Sequence, residues 1–132
     1  MNDLHESGLL AMSIPRASGG TEADLVTVVS VYEILAKACA STTWCLVNHV
    51  AACDILQRSL GGASGPYLRA VVEDGAALGF GALPSEAETK ESDGGYMTTG
   101  RWPFISFSYR CRWVLLITRI QGSPAAQSPT AG

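Results

Sequence analysis

Charge is scarce in this chain of 132 residues: Asp, Glu, Lys and Arg together make up 16% of it. Nine basic residues against twelve acidic ones leave a net charge of −3 and no basic stripe, so neither nucleic acid nor an anionic membrane is expected as a partner. No window approaches the ~18 uninterrupted apolar residues of a membrane helix. The opening MNDLHESGLL lacks a basic segment followed by a long apolar one, which is what an export signal needs. A cytoplasmic location is therefore expected, and the four cysteines (Cys39, Cys45, Cys53, Cys111) are expected to be reduced and buried. The chain has no C-x-x-C, no phosphate-loop Gly-Lys-Ser/Thr and no G-x-S-x-G elbow. Gly79-Phe80-Gly81 also lacks the third glycine and the following helix of a dinucleotide fingerprint.

What the chain does have is apolar content, 47% hydrophobic with a mean hydropathy of +0.18. A chain of this length can bury roughly two thirds of its unfolded surface in one core. The surplus apolar surface is expected to face a partner.

Periodicity divides the chain in two. Residues 3–12 read as a short helix that stops before Ile14-Pro15, because the residue before a proline is pushed out of the α region. Thr21-x-x-Asp24 reads as a variant capping box for a second helix, with Leu25, Val28, Val29, Tyr32, Leu35, Ala36 and Cys39 on one face. Ser41 is the expected N-cap of a third helix, residues 42–60, ended by Gly61-Gly62 and apolar on nearly every side. A fourth helix over 66–73 starts with Pro66 in its first turn. After Gly75 the pattern turns to strands over 77–83, 95–99, 101–106 and 113–120, with Asp93-Gly94 as a turn and the last strand apolar on both faces. Glu86, Glu88 and Glu91 read as a solvated loop. The prediction is an α+β chain: a four-helix N-terminal domain over 1–75, part of an antiparallel β domain over 76–120, and a disordered tail over 121–132.

Few residues suggest chemistry. Cys45, His49 and Cys53 lie at i, i+4 and i+8, a spacing that could hold a metal, but no fourth ligand is evident and no metal is assigned. His49 on an apolar helix must either satisfy a buried backbone group or face a pocket. On a strand over 101–106, alternation would turn Trp102, Phe104 and Ser106 to one side, either to meet a flat aromatic ligand or to pack in the core.

Two stretches carry a family resemblance. "ESGLLAMSIPRASGGTEADLVTVVSVYEILAKACASTTW" (Glu6 to Trp44) and "GGYMTTGRWPFIS" (Gly94 to Ser106), with Trp113 beyond them, resemble the acyl-CoA dehydrogenase superfamily and its flavin-dependent monooxygenase branch. The resemblance covers about residues 4–120. It implies an N-terminal helical domain, part of a middle β domain and a flavin, either FAD or FMN. Phe104 would pack on the isoalloxazine, the Ser106 hydroxyl would bond near its N5, and Trp102 would line the same wall. In the monooxygenase branch this helix contributes a histidine near the flavin, which points to His49 as a catalytic candidate, although its offset from Trp44 differs from the usual one. Gly81, Ala82 and Leu83 stand where the family places a hydroxyl for the flavin, and Phe107 stands where it places a glycine.

The resemblance also implies that a C-terminal helical bundle is missing, so that the chain is a truncated flavoprotein, inactive alone. Complete relatives dehydrogenate an acyl-CoA or hydroxylate a small-molecule substrate with reduced flavin and oxygen. The rival expectations are a non-catalytic subunit, working as a homo-oligomer or with a complementing polypeptide, and a degenerate gene fragment.

Overall fold

The structure is a computed structural model that describes residues 2–82, 87–118 and 120. The chain divides into two compact units, residues 1–80 with 105–115, and residues 81–104 with 116–132.

The first unit is helical. α1 (Asn2–Glu6) ends almost at once at Gly8, whose φ of +76° a side chain would resist, and a 3-10 turn follows over Leu9–Ala11. The helix expected over 3–12 is broken at that left-handed residue, and beyond the 3-10 turn the backbone pairs with residues 21–23. Thr21 N–H donates to Ala11 O, Ala23 N–H to Met12 O and Glu22 N–H to Ile14 O. That loop closes so tightly that a Cβ on Gly20 would collide with the Ile14 carbonyl. It presses Leu10, Met12 and Ile14 into the core.

α2 (Leu25–Ala38) begins at Asp24, which is itself the N-cap and accepts from the Thr27 N–H at 2.9 Å. Thr21, expected to cap, lies outside the helix. Val28 is the buried residue of α2, with Val31, Tyr32 and Leu35 packed beside it. Leu25, Val29 and Ala36, expected on the same inward face, do not reach the core: Leu25 and Val29 are exposed, and Ala36 adds no buried surface.

α3 (Ala40–Leu60) follows after Cys39 alone, which serves as C-cap of one helix and N-cap of the next in place of Ser41. Its 21 residues would span about 30 Å. Thr43, Leu46, His49, Ala52, Cys53 and Leu56 form one buried stripe at three- and four-residue steps. Trp44 stands out from it, 63% exposed, so the helix is not enclosed on every side. Gly61 closes α3, and α4 (Gly65–Asp74) adds Leu68 and Val71 to the core. α2, α3 and α4 are the full-length helices, so the expected four reduce to three and the short α1.

β1 (Ala77–Gly81) pairs with β4 (Cys111–Leu116). β4 alternates half-buried Cys111, Trp113 and Leu115 with exposed Arg112, Val114 and Leu116, so it is covered on one face and not on both as expected. Trp113 packs edge-on to Tyr67 at 5.2 Å between ring centroids, and Arg112 reaches Asp74 at 2.9 Å.

The second unit is built on an antiparallel hairpin. β2 (Glu88–Ser92) pairs with β3 (Gly95–Thr99) from Glu88↔Thr99 to Ser92↔Gly95, and Asp93-Gly94 makes the turn as expected. The solvated loop expected at Glu88 and Glu91 is therefore a strand, whose charged residues hide its period. Residues 101–106, expected as a strand, are turn and irregular backbone. The missing hydroxyl contact at Leu83, the turn at Glu86 and the tail over 121–132 lie outside the described residues. Among the described residues no helix is long and apolar enough to cross a membrane.

Candidate functional site

Among the described residues His49 is the most enclosed titratable group, with 0% exposure. Its Nε2–H donates to Leu10 O at 3.0 Å, and its Nδ1 accepts from the Leu78 N–H at 3.0 Å. These two bonds select one neutral tautomer and tie three elements together: α3, the turn at Leu10 and β1. Burial pulls the pKa of His49 below its ordinary value, and the two backbone bonds only partly offset that. Expected as a catalytic candidate, His49 here has both nitrogens occupied in the core. Cys53 Sγ lies 3.6 Å from its Nε2, and burial pushes that thiol up to about 12. A protonated thiol is a poor metal ligand, and among the described residues no group of three His, Cys, Asp or Glu could hold a metal.

The aromatic run does not share a strand face. Phe104 sits in a turn at φ +62°, and its side chain is 90% exposed. Trp102, in the same unit, donates its ring N–H to Ile117 O at 2.8 Å. That bond fixes the indole and leaves it no donor for a ligand. Ser106 belongs to the first unit, half-buried in the next turn, and among the described residues its hydroxyl has no hydrogen-bond partner.

Sequence reasoning missed a cleft in the first unit. Thr42 and Cys45 on α3 line it together with Phe107, Tyr109 and Arg110, and it holds about 340 Å³. A 3-10 turn over Ser108–Arg110 presents the last two residues, entered through Phe107 at φ +48°. Burial raises the Cys45 pKa, with a smaller push from the Cys39 thiol, so Cys45 is a neutral wall. Cys39 itself is exposed, and the Thr42 hydroxyl donates to its sulfur at 3.2 Å, lowering its pKa. Phe107 in place of a small residue was the one sequence signal for this cleft. A second cleft of about 430 Å³ lies along Val28, Tyr32 and Val50, with Arg58 at its edge already paired to Asp54 at 3.0 Å.

Comparison with known proteins agrees with this architecture. Residues 1–59 match the family described as acyl-CoA dehydrogenase, N-terminal domain. Among solved structures, XiaF from Streptomyces sp., in complex with FADH2 and glycerol, is similar with a TM-score of 0.73 and 27% sequence identity. The similarity covers 89% of this chain and 29% of XiaF, so the chain spans less than a third of that protein's length. No curated protein matches. A helical segment with the family's pattern, followed by small paired strands, places the N-terminal portion of this chain in the acyl-CoA dehydrogenase superfamily.

Proposed function

We propose that the chain supplies one wall of a flavin site in a flavin-dependent oxidoreductase, with residues 1–75 as its helical domain and 76–120 as part of its β domain. The observation that carries this is the similarity to XiaF, whose structure holds FADH2, over 89% of this chain. Bound flavin supplies the redox step, and the protein supplies position and electrostatics. Phe104 offers its exposed ring to the isoalloxazine, Ser106 offers its free hydroxyl to a ring nitrogen, and Trp102 holds its turn through Ile117 O. His49 serves the fold: its nitrogens are engaged at Leu10 and Leu78. Among the described residues none is assigned the role of base. We expect no turnover from these residues alone.

Absorbance and fluorescence titration with FMN and FAD tests the reading. Saturable binding is expected, weakened roughly 2- to 12-fold by Ser106→Ala, the value of one net hydrogen bond. Absence of binding at high flavin, or binding that ignores both Ser106→Ala and Phe104→Ala, would count against it.

A second reading is favoured by α2, where Leu25 is 76%, Val26 77% and Ile34 67% exposed. Apolar surface of that kind suits a non-catalytic subunit, either self-associating or complementing another polypeptide. A monomer by sedimentation that binds no companion chain would remove it.

A further inference from the structure

The cleft at the start of α3 contains chemistry that the flavin reading leaves unused. Its single cation is Arg110, an exposed residue whose backbone N–H is engaged with Phe107 O at 2.8 Å. Among the described residues its guanidinium has no partner, whereas Arg58 and Arg112 are paired to Asp54 and Asp74. A free guanidinium is a planar fork that matches a carboxylate in two parallel bonds.

The rings beside it point the same way. Phe107 is held in the left-handed region at φ +48°, ψ 27°, a conformation that a bulky residue resists. Tyr109 is 87% exposed, with no core contact to explain an aromatic side chain there. The Thr42 hydroxyl adds an acceptor, since its proton is directed at Cys39. The neutral Cys45 thiol completes the wall without bringing an opposing charge. Thr42 also lies in the first turn of α3, where the helix dipole favours a negative ligand group. A volume of about 340 Å³ is at the small end of ligand sites, sized for one or two rings and too small for a dinucleotide.

We propose that this cleft binds a small aromatic carboxylate, its ring against Phe107 and Tyr109 and its carboxylate on Arg110. The larger cleft along α2 and α3 lacks this combination, because its arginine is already neutralised by Asp54. The site stands on its own lining and does not depend on flavin.

The test is a titration of the ¹⁵N-labelled full chain, followed by amide shifts, with 4-hydroxybenzoate as probe. Benzamide, cyclohexanecarboxylate and inorganic phosphate serve as comparison probes. Saturable shifts at Cys45, Phe107, Tyr109 and Arg110 are expected, with 4-hydroxybenzoate at least tenfold tighter than benzamide. Cyclohexanecarboxylate and phosphate should be weaker than the aromatic acid. Arg110→Gln should weaken binding roughly 10- to 100-fold, as loss of a charge-assisted pair does. Tyr109→Leu should weaken it about threefold, and Arg58→Gln should leave it unchanged. Equal binding of benzamide or phosphate, indifference to Arg110→Gln, shifts centred elsewhere, or no shifts at ~10 mM probe would each overturn the proposal. The probe series on the unaltered chain decides the matter even where a variant folds poorly. A chain that ignores flavin but binds the acid separates this proposal from the flavin reading.

Discussion

The two units stabilise themselves by different means. In the first, Leu10, Ile14, Leu46, Leu68, Val71 and Leu78 are all under 2% exposed and form one cluster with Leu4, Val28 and Leu56. In the second, every residue of β3 is exposed, and Thr89 is the one buried residue of β2. The helical unit rests on apolar burial, worth about 1.5–3 kcal/mol for each enclosed side chain. The hairpin rests on its ladder and on hydroxyls, with Thr89 Oγ1 meeting Thr98 Oγ1 at 3.0 Å and Thr118 Oγ1 at 2.6 Å. Apolar residues in the hairpin do not by themselves make a core: Tyr96 and Met97 are 60% and 66% exposed.

The largest test of this contrast is Leu46→Ala, which empties a site of 0% exposure at the middle of α3. A loss of about 2–5 kcal/mol is expected from transfer and cavity terms together, read as a lower urea midpoint. Met97→Ala removes a side chain of similar size on β3 and should change stability by no more than about 0.5 kcal/mol. Equal effects would mean that the second unit has a core after all.

His49→Leu comes next. It strands the Leu10 carbonyl and the Leu78 N–H, at about 1–3 kcal/mol for each unsatisfied group. It also carries a pH signature. The pKa of His49 is lowered in the folded chain, so below about pH 6.5 the unfolded state binds the proton more readily. Its contribution is therefore present above about pH 6.5 and is lost as pH falls towards the folded value, with a slope of at most about 1.4 kcal/mol per pH unit. In urea melts the stability gap between the unaltered chain and the His49→Leu variant should narrow on acidification. A gap that widened would show that the buried ring is charged.

How much of this is legible in the sequence follows the same division. Helices with a strong 3.6-residue period are legible to within a few residues, and the Asp93-Gly94 turn marks the hairpin because turn chemistry is local. The errors arise where distant contacts decide the backbone. Nothing local shows that Met12 and Ile14 pair with Ala23 and Glu22, so the chain beyond the left-handed Gly8 reads as more helix. β2 escapes because Glu88, Lys90 and Glu91 look solvated, and they are, while Thr89 alone turns inward. The aromatic run reads as a strand from its β-prone residue types, but Phe104 and Phe107 both take positive φ and bend it. The candidate flavin residues can be named from a motif. The cleft cannot, because Thr42 and Arg110 are brought together only by folding.

Within the hairpin, Thr89→Val keeps the shape and removes the hydroxyl that joins Thr98 and Thr118. About 1 kcal/mol is expected, felt locally: amides of β2 and β3 should exchange roughly fivefold faster, while those of α3 keep their protection. Loss of α3 protection as well would make the two units one cooperative system.

The smallest effect should come from the packed unit. Lys37 and Glu33 form a 3.0 Å ion pair on α2 with side chains 72% and 70% exposed. Water screens such a pair, and ordering two long side chains offsets much of its attraction. Lys37→Ala should therefore cost no more than about 0.5 kcal/mol at low salt and nothing measurable at about 1 M, where the Debye length is about 3 Å. If it cost as much as Thr89→Val, membership of the helical unit would matter more than burial. If it does not, the contrast between the units reduces to which side chains leave water, residue by residue.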